Sequence, residues 1–198
     1  MTNQQQEKMP PQGFGLFDGA VSQDAWLVLQ EWIQTNRLRD ESVPIPWEIG
    51  AQNRQVAQFG FRYDYEQDTV DTTTPTRPIP PTLLHLLDIP HHFTQCIINK
   101  YEPDIIIPWH MDDLSFGPSI LVYSFGEARP LLLRRANNHE EQYQAIPSHC
   151  SKYVLQDEAR YEWEHMIPTG KGHRTSFTFR SAAAASILIN QEEYHSIR

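Results

Sequence analysis

Cysteine is scarce in this chain: Cys96 and Cys150 are the only two in 198 residues. Two thiols cannot make a disulfide framework, and their spacing fits no zinc-binding pattern. A reducing intracellular compartment, cytoplasmic or nuclear, is therefore expected. Long apolar runs are also missing. None approaches the roughly 20 residues that a membrane-spanning helix needs, so no membrane partner is expected. Residues 1–12 are polar and carry Pro10 and Pro11, without the apolar centre of a signal peptide. Positive charge is short as well, with 16 Lys and Arg against 25 Asp and Glu, a formal net charge of −9. That argues against broad, nonspecific binding to nucleic acid, which rests on many phosphate contacts, but it leaves room for a local basic groove.

What is present fits one globular domain. Hydrophobic residues make up 39% of the chain and charged residues 21%, and the length allows a substantial core. Residues 1–12 are expected to be a disordered tail before a single domain over 13–198, with no internal repeat. Ser22 is a plausible N-cap for a helix running to about Asn36, in which Ala25, Trp26, Leu29, Trp32 and Ile33 form one apolar face. Pro44, Pro46 and Trp47 end further helix. From Gln58 to Tyr65 the pattern alternates, with Phe59, Phe61, Tyr63 and Tyr65 on one face of an expected strand. Residues 67–81, rich in Thr and Pro, read as a surface connection, and a short helix is expected near 82–87.

Beyond that point the chain turns mainly β. Strands are expected over 95–101, 105–109, 119–125, 130–134, 151–155 and 174–180, with a short helix or tail over 181–198. Short strands at regular intervals, with helix confined to the N-terminal part, give a mainly β (α+β) fold of sandwich or jelly-roll type, its N-terminal helices packed outside.

His110-Met111-Asp112 is the first chemical signal. On extended backbone, residues two apart point the same way, so one imidazole and one carboxylate can reach a single metal. A second imidazole would complete the facial triad that holds non-haem Fe(II) and leaves positions open for a cosubstrate and O₂. Alone, an H-x-D pair is also what a solvated loop contains. His139, His149, His165 and His173 could each supply the third ligand. His165 is preferred, because it lies between Trp163 and Ile167, shortly before two arginines spaced along one strand.

That strand, Arg174-Thr175-Ser176-Phe177-Thr178-Phe179-Arg180, alternates without a break. Arg174, Ser176, Thr178 and Arg180 share a polar face; Thr175, Phe177 and Phe179 share the other. Arginine matches carboxylate geometry bidentately, so the polar face suits a dicarboxylate. At about 3.3 Å per residue the two arginine Cα atoms lie roughly 20 Å apart and do not grip one carboxylate together. Arg174, helped by Ser176, is assigned the distal carboxylate. Arg180 is placed nearer the metal or in the frame of the site.

Taken in order, Asn99-Lys100-Tyr101, His110-Met111-Asp112, Glu158-Ala159-Arg160-Tyr161, His165 and the strand from Arg174 to Arg180 resemble the AlkB family of Fe(II)- and 2-oxoglutarate-dependent dioxygenases. The resemblance spans roughly residues 55–180, and the strand is especially similar to the branch that hydroxylates the wobble uridine of tRNA. It implies a double-stranded β-helix with iron on His110, Asp112 and His165. It also implies that Asn99, Tyr101, Arg174 and Arg180 contact 2-oxoglutarate, with O₂ as the oxidant. Asp157 departs from the glycine common before Glu158 in relatives, and Ser176 from the asparagine of the bacterial prototype.

The expected reaction is hydroxylation or demethylation of a modified nucleobase in nucleic acid, with single-stranded RNA or tRNA as the partner of a monomeric enzyme. Phe59, Arg62, Tyr63, Arg134, Arg135 and Arg160 are the residues expected to meet that substrate. A protein side chain or a small molecule is the alternative, and the net negative charge supports it.

Overall fold

The computed structural model describes residues 9–36, 44–64, 69–71 and 77–182. The chain opens with β1 (Phe14–Phe17), α1 (Gln23–Thr35), β2 (Glu48–Ile49), β3 (Gln55–Gly60), β4 (Arg62–Asp64), β5 (Thr69–Asp71) and α2 (Pro81–Leu86). Strands β6 (Gln95–Tyr101), β7 (Ile107–His110), β8 (Phe116–Gly126), β9 (Leu131–Arg135) and β10 (Asn138–Ala145) follow. The described chain closes with β11 (Ser151–Leu155), α3 (Asp157–Tyr161), β12 (Trp163–Ile167) and β13 (Arg174–Ala182).

Among the described residues the strands form two main antiparallel sheets, a large one of order β1-β11-β8-β13-β6-β3-β2 and a small one of order β10-β9-β12-β7, and a two-stranded one, β4-β5. One apolar cluster joins the two main sheets, with Ile120, Val122, Tyr153 and Leu155 from the large sheet against Leu131, Leu133, Trp163 and Ile167 from the small one. This is the expected jelly roll. Among the described residues no helix is long and apolar enough to cross a membrane.

The other face of the large sheet carries α1. The helix starts at Ser22, whose Oγ accepts from the Ala25 N–H at 3.2 Å, and stops at Asn36 in the left-handed region. Ala25, Leu29 and Trp32, one helical turn apart in succession, are its buried residues, the stripe that packs a surface helix on a core. Trp32 lies 6.0 Å from Phe59 and 6.5 Å from Phe177, ring centre to ring centre. Phe177 and Phe179 are fully buried on this side, each worth about 1.5–3 kcal/mol of burial. The opposite face of β13 is left to Arg174, Ser176, Thr178 and Arg180, as its alternation requires.

The expected strand over 58–65 is two strands. Gly60 breaks it at φ +77°, where any Cβ would overlap the Thr94 carbonyl. Gln58 bridges the break, donating from its side-chain amide to the Tyr63 carbonyl at 3.0 Å and accepting from the Tyr63 N–H at 2.8 Å. Phe59 and Tyr63 therefore part company: Phe59 enters the core under α1, while Tyr63 turns towards the space between the sheets. Tyr65 lies outside the described residues.

Of the expected tail, residues 1–8 lie outside the described residues. Residues 11–12 are docked, with Pro11 buried and the Gln12 carbonyl accepting from the Ala159 N–H at 2.9 Å. The connection over 67–81 contains β5 and a bridge from Arg77 to Gly60, and residues 72–76 are outside the description. Ser181 and Ala182 continue β13, whereas residues 183–198 are again outside it.

Candidate metal centre

Strand β13 lies between β6 and β8, which sets the floor of the site. Arg174 faces Tyr101 and Gly126 across the sheet, Ser176 faces Asn99 and Ser124, and Arg180 faces Gln95 and Ile120. The motifs Asn99-Lys100-Tyr101 and Arg174–Arg180 are far apart in sequence, yet they are partners in one ladder.

The small sheet supplies the histidines. His110 ends β7, and its partner across the ladder is His165 on β12. Their ring centres are 4.2 Å apart. Asp112 follows β7 in a loop, and its Oδ2 lies 3.8 Å from His165 Nε2. One ligand atom from each of His110, Asp112 and His165 falls within 4.8 Å of the others. The Pro108 carbonyl can only accept, so the 2.9 Å contact to His110 Nδ1 fixes the proton there and leaves Nε2 as the lone-pair donor. Two imidazoles and one carboxylate form a donor set suited to Fe(II).

Charge at the site is arranged to keep that set ready. Burial alone would raise the Asp112 carboxyl, but Arg180 above all, then His165, His110 and Arg160, hold it well below the ordinary carboxylate range. Arg180 pairs directly with Asp112 Oδ1. Burial, reinforced by His110, pushes the His165 imidazole down to about 3. It is therefore neutral near pH 7, as a metal ligand must be.

A cavity of about 310 Å³ opens over these groups, and Asn99, Tyr101, Ser176 and Arg180 are in its lining. The Tyr101 hydroxyl and Ser176 Oγ are 3.1 Å apart. Arg174 is 1% exposed and lies 4.9 Å from the centre of the Tyr101 ring. Its Nε donates to Ser124 Oγ at 3.1 Å. Its charge draws on the Tyr153 phenol, against the burial that raises it, yet neither terminal nitrogen of Arg174 completes a hydrogen bond. A buried guanidinium with two unmatched donors is costly, and a carboxylate at this point would resolve it.

Of the other histidines considered as ligands, His149 is exposed and takes the Gly126 N–H at 3.0 Å. His173 lies 3.1 Å from Glu102, and His139 lies 3.7 Å from Glu164. None of the three belongs to the cluster.

Several residues expected to meet substrate are engaged elsewhere. Phe59 is fully buried under α1, out of reach of any ligand. Arg160 is 2% exposed, and donates at 2.8 Å to the Asp112 carbonyl and at 2.6 Å to that of Asp113. It holds the backbone of the metal loop rather than phosphate. Arg62 pairs with Glu48 at 3.0 Å, Arg134 with Glu164 at 2.6 Å, and Arg135 with Glu162 at 2.5 Å. Tyr63 lines the cavity. Asp157, in place of a relative's glycine, has φ +47°, so the position demands the left-handed backbone that glycine adopts freely. Arg54 and Gln58 were not singled out by any pattern in the sequence, because isolated polar residues on a mixed strand carry no periodic signal.

Comparison with known proteins agrees with this geometry. A family model described as the 2OG-Fe(II) oxygenase superfamily matches residues 22–181. The mouse tRNA (carboxymethyluridine(34)-5-O)-methyltransferase ALKBH8 is 28% identical over 199 residues, covering 78% of this chain and 30% of that protein. Its Xenopus tropicalis counterpart is 26% identical over 163 residues, covering 73% and 25%. The chain thus spans under a third of the length of these curated relatives. The solved structure of OsALKBH1 superposes with a TM-score of 0.64 at 14% identity, over 89% of this chain and 99% of that one.

A jelly roll with this donor set and floor is that of an Fe(II)- and 2-oxoglutarate-dependent dioxygenase, with Fe(II), 2-oxoglutarate and O₂ as its requirements. The chain belongs to the 2OG-Fe(II) oxygenase superfamily and is an AlkB-like member of it.

Proposed function

We propose that this dioxygenase hydroxylates or demethylates a modified nucleobase in RNA, with iron held by His110, Asp112 and His165. The observation that carries the assignment is that donor cluster, met by Arg180 of β13, together with the buried guanidinium of Arg174 at the far end of the same strand, whose terminal nitrogens lack hydrogen bonds. Arg174, with Ser176 and Tyr101, takes the distal carboxylate of 2-oxoglutarate. Asn99 lies beside Ser176 in the ladder, whereas Arg180 stands towards the metal end and keeps Asp112 ionised and oriented. When bound, iron with 2-oxoglutarate and O₂ supplies the oxidation, in which 2-oxoglutarate is converted to succinate and CO₂. The protein positions the reacting groups, holds His165 neutral and limits access of water.

The nucleobase reading rests on likeness to proteins whose names specify a tRNA wobble uridine and on the cavity itself. At about 310 Å³, it is at the lower end of small-molecule pockets. It suits a small cosubstrate and one extruded base. Tyr63, 6.0 Å from Phe116, offers an aromatic wall for that base. Among the described residues, Arg62, Arg134 and Arg135 are paired with carboxylates and would meet phosphate only by giving up those partners. Binding to single-stranded RNA should therefore have a shallow salt slope, about 0.7 per neutralised phosphate. Tyr63→Ala should weaken it by on the order of 1–3 kcal/mol if a base stacks there.

The test is mass spectrometry of modified nucleosides and of peptides after incubation with Fe(II), 2-oxoglutarate and O₂. A nucleoside gaining one oxygen or losing one methylene is expected. Oxidation confined to peptides would replace the nucleic-acid reading with that of a protein hydroxylase.

A further inference from the structure

Another buried arginine, Arg54, lines the cavity over the donor cluster. Arg54 is 5% exposed and sits where the short turn over Ala51–Asn53 enters β3. Its Nη1 donates to Gln52 Oε1 at 2.8 Å, while its Nε is buried with no hydrogen-bond partner. Arg62, Arg129, Arg134, Arg135 and Arg180 each have a carboxylate partner, and Arg160 is taken up by backbone carbonyls. Among the described residues, Arg54 and Arg174 are left as the buried arginines with unmatched nitrogens and no anion.

Cosubstrate accounts for Arg174 only. In the arrangement proposed above, one end of 2-oxoglutarate is met by Arg174, Ser176 and Tyr101, and its keto-acid end by the metal. Arg54 differs in place. It lines the cavity together with Ala51 and Gln52, and the Gln52 side chain that it binds belongs to an exposed residue. The guanidinium is thus a buried part of the cavity wall whose partner side chain reaches solvent. Gln52 and Asn53 both hold left-handed backbone, at φ +53° and +56°. For glutamine that conformation is unfavourable, so the turn holds Arg54 in place at some cost.

We propose that Arg54 is a specificity residue that binds an oxyanion carried by the primary substrate at the mouth of the site. The proposal rests on the nucleobase reading for the source of that oxyanion, either the phosphate of the target nucleotide or a carboxylate on its base. A guanidinium offers its Nε and an Nη edge to such a group bidentately, and burial strengthens the pairing.

The full chain, loaded with Mn(II) and the unreactive analogue N-oxalylglycine, is titrated with inorganic phosphate, uridine, uridine 5′-monophosphate and 5-carboxymethyluridine. One charged nucleoside should bind roughly tenfold or more tighter than uridine, the effect of a hydrogen bond to a charged group. Arg54→Gln should abolish that advantage. Preference for the monophosphate identifies the backbone as the source, and preference for the carboxymethyl compound identifies the base. If Arg54→Gln fails to fold, Arg54→Lys keeps the charge without the fork and should still weaken the charged probe relative to uridine. Phosphate binding that depends on Arg54, with no nucleoside bound, would keep the oxyanion site and remove the nucleobase reading. Absence of any charge preference in the parent, with phosphate binding indifferent to Arg54, would overturn the proposal. So would a loss confined to N-oxalylglycine, which would make Arg54 a cosubstrate residue.

Discussion

Arg174 gives the sharpest quantitative expectation, because its loss should act in opposite directions on the free and the cosubstrate-bound protein. In the free protein its side chain is 1% exposed and its terminal nitrogens lack partners. Replacing it with methionine removes an uncompensated buried charge, so the free variant should be no less stable than the parent and can exceed it. The bound state tells the opposite story. Truncating one partner of a buried, hydrogen-bonded charge pair costs about 2–5 kcal/mol, a loss of roughly 30- to 5,000-fold in affinity. Thermal melting with Mn(II) and N-oxalylglycine reads both effects. Ligand at about 100 times its Kd stabilises by about 2.7 kcal/mol, which for a domain of this size is a rise of roughly 5–11 °C. The parent should show that rise. Arg174→Met at the same ligand concentration should show at most about a third of that rise, and Arg174→Lys an intermediate one, since lysine keeps the charge but lacks the fork. An equal rise in parent and Arg174→Met would refute the placement of the distal carboxylate.

Arg160→Met should destabilise the fold by about 2–5 kcal/mol, because buried carbonyls of the metal loop lose their donor, and should weaken Fe(II) binding; urea denaturation and metal titration measure the two. Acid should destabilise the free protein. His165 has its folded value at about 3 against 6.5 when exposed, and Asp112 is likewise depressed. The unfolded chain therefore binds more protons, and stability is lost as pH falls from about 6.5, through His165 first and Asp112 below about 4. Urea midpoints should fall between pH 7 and pH 5 in the parent and much less in His165→Gln; a flat parental profile would contradict this. Burial pushes the thiols of Cys96 and Cys150 up, so iodoacetamide at pH 8 should label neither before unfolding, as peptide mass spectrometry can show.

The strands and the clustered His and Asp donors were legible because their signals are periodic or chemically rare. The alternation of Arg174–Arg180 gave both faces of the central strand, and the spacing of His110 and Asp112 gave two of the three clustered donors. The two-faced character of β13 also marked Phe177 and Phe179 as a core-facing pair, and both are fully buried. Other elements carry no such pattern. Strand β10 reads Asn-His-Glu-Glu-Gln-Tyr-Gln-Ala and is almost wholly exposed at a sheet edge, so no apolar alternation marks it. Phe59 and Tyr63 share parity in the sequence, but Gly60 resets the phase between them, and only the close approach of Thr94 shows why. Arg160 was read as a phosphate contact because charge suggests the surface. Its burial depends on backbone carbonyls of residues 112–117, and those can be placed beside it only by the folded chain.

The central claim, iron on His110, Asp112 and His165, is tested most directly by anaerobic Fe(II) titration in the presence of 2-oxoglutarate. Calorimetry should compare the parent, His165→Ala and His149→Ala, with circular dichroism to verify folding. A single tight iron per chain is expected in the parent and in His149→Ala, and none in His165→Ala. Tight binding retained by a folded His165→Ala, or lost in a folded His149→Ala, would contradict the account.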